Sequence, residues 1–92
     1  ALLRRGALSA GVTTAGCSPT AAAWARDRLD EALPEGFEDV VAWLGSLRPE
    51  LKARIPEQRR RSALFRRLFE LAMERGGPLT RDEMEAGLEA QS

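Results

Sequence analysis

Histidine and tyrosine are absent from these 92 residues, and there is one cysteine and one lysine. Without histidine the chain has no imidazole base, no histidine metal ligand and no Ser-His or Cys-His pair. A lone Cys17 allows neither an internal disulfide nor a thiolate metal cluster. With Lys52 the only lysine, positive charge rests on arginine, which suits fixed ion pairs better than Schiff-base chemistry. No GxGxxG, P-loop, HExxH, CxxC or GxSxG is present. Carboxylate pairs such as Asp82/Glu83 and Glu70/Glu74 fall on exposed helix faces, where capping and solubility account for them. "GGPLTRDEME" looks like the tail of a calcium loop, but the acidic positions required before the glycine are missing. Neither an enzyme, a cofactor nor a metal site is expected.

Long hydrophobic runs are also lacking. Gly6 to Ala25 is uncharged, which raises a membrane span, yet only Leu8, Val12 and Trp24 in it are strongly hydrophobic and Pro19 interrupts it. Residues 1–26 hold Arg4, Arg5 and Arg26, no acid, and much Ala, Ser, Thr and Gly, a composition typical of organelle transit segments. "TAGCS" after Arg4-Arg5 also resembles a lipoprotein signal, with Thr14 a poor fit where Leu or Val is wanted. The missing initiator methionine points to a chain processed or cut from something longer. Residues 1–18 are therefore expected to form an extended, flexible, transit-like arm, and 19–92 a single small domain.

What remains is helical punctuation and charge in blocks. Ser18-Pro19 reads as an N-cap with proline at the first helical position, opening a helix over 19–33 with Trp24 and Leu29 on a weak inward side. Phe37, Val40, Val41, Leu44 and Leu47 recur at helical spacing, blurred by Gly45 and closed by Pro49, with a turn over 49–54. The strongest helix spans 57–75. Its stripe holds Leu64, Phe65, Leu68, Phe69, Leu71 and Ala72, with Arg66, Arg67, Glu70 and Glu74 opposite and Arg66–Glu70 and Arg67–Glu70 as pairs. Gly76-Gly77-Pro78 ends it. Thr80 and Glu83 then form a capping box, with Leu79 and Met84 at the staple positions of a short acidic helix. No period-2 strand pattern appears apart from ambiguous short runs in the arm. The expected fold class is all-α, with three to five helices.

Net charge is zero, but residues 27–51 carry seven acids against two arginines, and 52–67 seven bases against Glu57. Acids prevail again in 68–92. Alternating blocks favour internal or partner ion pairing over a global field for nucleic acid. Arg59, Arg60 and Arg61 crowd the first turn of a helix, the end whose dipole is already positive. That placement points to acids from outside the helix, either those of residues 27–51 or an acidic partner such as a protein surface or anionic lipid headgroups. Nucleic acid is the less favoured partner, because Phe65 and Phe69 fall on the apolar stripe rather than among the exposed cations.

Three short elements resemble one family. "RIPE" at 54–57, "LFRR" at 64–67 and "PLTRDEM" at 78–84 are similar to the small matrix-side subunit 7, or ubiquinone-binding protein family, of respiratory complex III, the ubiquinol–cytochrome c reductase. Ile55-Pro56-Glu57 would match the family's Leu-Pro-Glu, Phe65-Arg66 its aromatic-Arg pair, and Leu79, Arg81 and Asp82 its turn. Trp24 and Phe37 are spaced like its N-terminal aromatic pair. The chain departs from the pattern in a shorter linker between Phe37 and Pro56, in Thr80 for a turn proline, in Met84 for tryptophan, and in having no counterpart of the aromatic-rich C-terminal segment. The resemblance implies a helical, non-catalytic supernumerary subunit, peripheral on the matrix side of the mitochondrial inner membrane. It would pack against cytochrome b-like and core subunits. The residues expected to meet partners are Trp24, Phe37, Arg54, Arg59, Arg60, Arg61, Phe65, Arg66 and Arg67. The rival class is a soluble DNA-binding or antitoxin-like helical module, against which the lack of a clear ribbon strand counts.

Overall fold

A computed structural model of the chain describes residues 1–90. The last two residues of the expected 19–92 domain, Gln91 and Ser92, lie outside the described residues. Two short strands, β1 (Leu2–Arg5) and β2 (Leu8–Gly11), precede four helices: α1 (Pro19–Ala32), α2 (Phe37–Arg54), α3 (Gln58–Arg75) and α4 (Arg81–Glu89). The fold is thus mostly helical, as expected, with a small antiparallel sheet added.

That sheet corrects the expectation of an extended arm. The strands pair Leu2 with Gly11 and Arg5 with Leu8, leaving a two-residue turn at Gly6-Ala7. Gly6 takes φ +57° while Ala7 does not, the pattern of the tight hairpin turn whose twist matches paired strands. The ladder continues to the terminus, where Ala1 and Val12 exchange bonds of 2.7 and 2.8 Å. Leu3 is buried while Leu2 and Arg4 are exposed, so the ambiguous alternation of the arm is a real but very short strand signal.

Ser18 caps α1 by accepting from the Ala21 N–H at 3.0 Å, with Pro19 next to it, as expected. The inward side of α1 differs from expectation. Ala22 is the buried residue, and Trp24 stands 62% exposed. Two residues turn a helix by about 200°, so a helix that presses Ala22 onto β1 must carry Trp24 outward. Leu29 is also half exposed.

α2 does not stop at Pro49; it runs on to Arg54, and there is no turn over 49–54. Leu47, Leu51 and Ile55 are all buried at four-residue intervals, and this continuous apolar stripe outweighs one missing N–H on the exposed side. Glu38 and Asp39 occupy its first turn, where acids complement the dipole. Gly76 ends α3 at φ +87°. Thr80 and Glu83 close the expected capping box, with Glu83 N–H to Thr80 Oγ1 at 3.1 Å and Thr80 N–H to Glu83 Oε1 at 2.8 Å.

The core is one cluster built from α2, α3, α4 and the segments joining them: Val40, Leu47, Leu51, Ile55, Leu64, Leu68, Ala72, Leu79, Met84 and Leu88. Phe65, Phe69 and Leu71 pack at its edge, so the expected stripe of α3 is the one that faces inward. The hairpin and α1 contribute nothing to it. The molecule is correspondingly long, 50 × 25 × 17 Å with a radius of gyration of 16.6 Å. A compact chain of this length would have about 12 Å. The uncharged Gly6–Ala25 segment is divided between hairpin, loop and α1, and no helix among the described residues is long and apolar enough to cross a membrane.

Candidate docking surface

The six arginines of 54–67 share a sequence block but not a role. Arg54 is held inside the protein's own ion network. Its guanidinium forks onto Glu85 at 2.7 and 2.9 Å and reaches Glu50 at 3.0 Å. Arg81 in turn forks onto Glu50 at 2.7 and 3.0 Å and lies 3.5 Å from Glu85. Four side chains thus stitch the end of α2 to α4. Hydrogen bonds from Arg81 first, and then from Arg54, hold the Glu50 carboxyl down to about 2. Arg54 holds Glu85 below the usual carboxylate range for the same reason, and the Glu85 and Glu50 carboxylates push Arg54 up. Arg54 is therefore an internal brace.

Arg61 is also engaged, donating from one nitrogen to the Ile55 and Pro56 carbonyls at 3.0 and 3.2 Å. It ties the first turn of α3 to the loop before it, supplying a partner for carbonyls left over where α2 ends. Arg67 pairs with Glu70 at 3.7 Å, and its Nε is buried without a hydrogen-bond partner. The expected Arg66–Glu70 pair does not form, because Glu70 turns to Arg67.

Arg59, Arg60 and Arg66 are left. All three are exposed, and none has a hydrogen-bond or ion-pair partner among the described residues. Two of them sit in the first turn of α3, where no acid offsets the positive dipole end and the Glu57 side chain makes no cap bond. Outward, α3 thus presents uncompensated cations.

The aromatic candidates divide similarly. Phe37 packs edge-on against Phe69, ring centres 6.3 Å apart at 88°, and so anchors the start of α2 internally. Phe65 is partly buried against the core, with the Arg48 guanidinium 5.0 Å from its ring centre. Trp24 alone is freely presented. Arg28 lies 4.9 Å from its ring, one turn further along α1.

Two features escaped sequence reasoning. Arg48 and Lys52 lie with Arg61 along one groove between α2 and α3. Reading α2 as ending at Pro49 removed Lys52 from any helix face. The other is Arg5. Its guanidinium binds Glu38 at 2.9 and 3.0 Å and donates to the carbonyls of Asp30 and Leu33, both at 3.3 Å, and of Pro34 at 2.8 Å. α1 has no basic residue in its own last turn, so an arginine from the hairpin complements that dipole end. No sequence signal separates Arg5 from its exposed neighbour Arg4 except the strand alternation.

Among the described residues no group of three or more acidic or cysteine side chains is arranged to hold a metal ion, and Cys17 is exposed. Comparison of the chain with protein-family models, curated proteins and solved structures finds no match.

Proposed function

We propose that the chain is a non-catalytic docking subunit that joins a larger assembly through the outward face of α3. One observation carries this reading. Within a neutral chain that satisfies Arg5, Arg54, Arg75 and Arg81 with its own acids, Arg59, Arg60 and Arg66 remain exposed without partners among the described residues. Desolvated arginines opposite acidic groups are among the side chains that most often dominate a protein interface. Trp24, exposed on α1, is a second anchor of the type interfaces favour.

The assembly we put first is respiratory complex III, on the matrix side of the mitochondrial inner membrane. The grounds are the resemblance of Ile55-Pro56-Glu57, Phe65-Arg66 and the Leu79–Asp82 turn to its subunit 7 family. The partner surfaces would then be acidic patches of cytochrome b-like and core subunits, with anionic lipid headgroups at their border. In this reading Arg54, Arg61 and Phe37 support the fold behind the contact.

One feature favours the rival, a DNA-binding or antitoxin-like module: the hairpin is a ribbon, and Arg4 is exposed on it. The decisive experiment isolates the native protein under mild detergent. Migration with a large membrane complex, lost on Arg59→Glu and Arg60→Glu reversal while circular dichroism stays helical, supports the docking reading. Unchanged co-purification after the reversal, or duplex binding with a steep salt dependence and no association with a complex, would defeat it.

A further inference from the structure

We propose that the groove between the C-terminal half of α2 and the N-terminal half of α3 is a binding site for a phosphomonoester. It is lined by Arg48, Pro49, Lys52, Arg61 and Phe65, and holds about 460 Å³. No carboxylate is among the lining residues. The site is separate from the outward face bearing Arg59, Arg60 and Arg66, and the proposal does not depend on the docking reading.

The two arginines of the groove are fixed by the protein while keeping free donors. Arg48 rests over the Phe65 ring at 5.0 Å and has no hydrogen-bond partner among the described residues. Contact with the ring spends none of the guanidinium N–H groups on a hydrogen bond and leaves them for an acceptor. Arg61 spends one terminal nitrogen on the Ile55 and Pro56 carbonyls, and its other nitrogens are uncommitted among the described residues. Lys52 adds an ammonium group without a partner among the described residues. Because the fold has already ordered the two guanidinium groups, a ligand bears less of the entropy of ordering them.

Charge and shape select the ligand. Three cations without an acid match a group carrying nearly two negative charges and three acceptor oxygens, as a phosphomonoester does near neutrality. A carboxylate engages one arginine fork and leaves the rest of the charge unbalanced. The groove has room beyond a phosphate, and Phe65 and Pro49 give that room an apolar wall suited to a flat organic substituent.

The test titrates the full chain with phenyl phosphate at low salt, followed by amide and arginine Nε resonances and by calorimetry, with benzoate and inorganic phosphate as comparisons. Shifts are expected at Arg48, Lys52, Arg61 and Phe65, and phenyl phosphate should bind about tenfold more tightly than benzoate, the weight of one extra charge-assisted contact. Arg48→Gln and Lys52→Gln, which remove no hydrogen bond or ion pair of the fold, should each weaken binding about tenfold. Arg66→Gln should leave it unchanged. Benzoate binding as tightly, equal binding by the Arg48→Gln and Lys52→Gln variants, or shifts centred on Arg59 and Arg66 would overturn the assignment. So would binding of duplex DNA by a chain that does not respond to phenyl phosphate, which would mark a general polyanion surface.

Discussion

Replacing Arg5 by methionine should release the hairpin and α1 from the rest of the molecule without unfolding the rest. The side chain of Arg5 is 16% exposed, and it bonds Glu38 together with three carbonyls at and just past the end of α1. A hydrogen bond to a charged group contributes about 1.5–3 kcal/mol, but the carbonyls and Glu38 would partly rehydrate once exposed. Loss of a cation at the C-terminal end of α1 adds about 0.3–1 kcal/mol. A local loss of about 2–4 kcal/mol follows. It should stay local, since neither the hairpin nor α1 has a residue in the central cluster. Hydrogen exchange resolved by segment is the right assay, because Trp24 and Trp43 would mix the two regions in fluorescence. Amides of 2–5, 8–11 and 19–32 should lose protection by about 30- to 1,000-fold, the equivalent of that energy. Amides near Leu51 and Leu68 should hardly change. Arg5→Lys keeps the charge but not the fork, and should recover only part of the protection. Equal loss of protection in α3 would refute the reasoning, and so would unchanged exchange in the hairpin.

Acid should loosen α4. The Glu50 carboxyl lies at about 2 in the folded chain against 4.5 in its absence of partners, so its contribution is fully present above about 4.5 and is lost as pH falls through 2. Exchange of the α4 amides followed from pH 5 to 2 should show this, and Glu50→Gln should flatten the response in that window. Pro49→Ala should stabilise the chain by roughly 1–3 kcal/mol by restoring a helical N–H at an exposed site, read from urea midpoints. Leu68→Ala, at 0% exposure in the core, should cost about 2–5 kcal/mol in the same assay. Thr80→Ala should cost about 1 kcal/mol by removing the side-chain half of the capping box.

Helix starts and stops were readable where a single residue does a local job. Ser18-Pro19, Gly76 and the Thr80–Glu83 box each act within four residues of chain, and each stands where it was expected. The stripe of α3 was readable for a related reason: six apolar positions over two and a half turns leave one phase. The failures are long-range. Pro49 is a local stop signal overruled by Leu51 and Ile55, whose burial is decided by α3 and α4 rather than by α2 itself. Trp24 and Leu29 mark only a weak inward side in the sequence; the surface available to α1 is a four-residue strand, and small Ala22 lets the helix approach it. The hairpin hid because each strand contributes only four residues, too few for alternation to stand out from chance.

The same distinction governs the arginines. Bases and acids alternate in blocks along the chain, which favours ion pairing within the chain or with a partner. That pattern could not say which arginines would be used up. Arg54 and Arg61 lie within seven residues of Arg60, yet helix geometry turns Arg54 to α4 and Arg61 to the preceding carbonyls, while Arg60 has no hydrogen-bond or ion-pair partner among the described residues. The information sits in three-dimensional neighbours that are 31 residues away in the case of Glu85. By total positive charge the six arginines of 54–67 would form one surface. In the fold, Arg59, Arg60 and Arg66 share the outward side of α3, while Arg61 lies with Arg48 and Lys52 in the groove, and these are different surfaces. Charge reversal at Arg59 and Arg60 and neutralisation at Arg48 and Lys52 should accordingly separate: the first should abolish assembly while leaving phosphate binding intact, and the second should do the opposite. A single variant pair that lost both together would mean the cations act as one diffuse field, and the division drawn from their side-chain partners would fail.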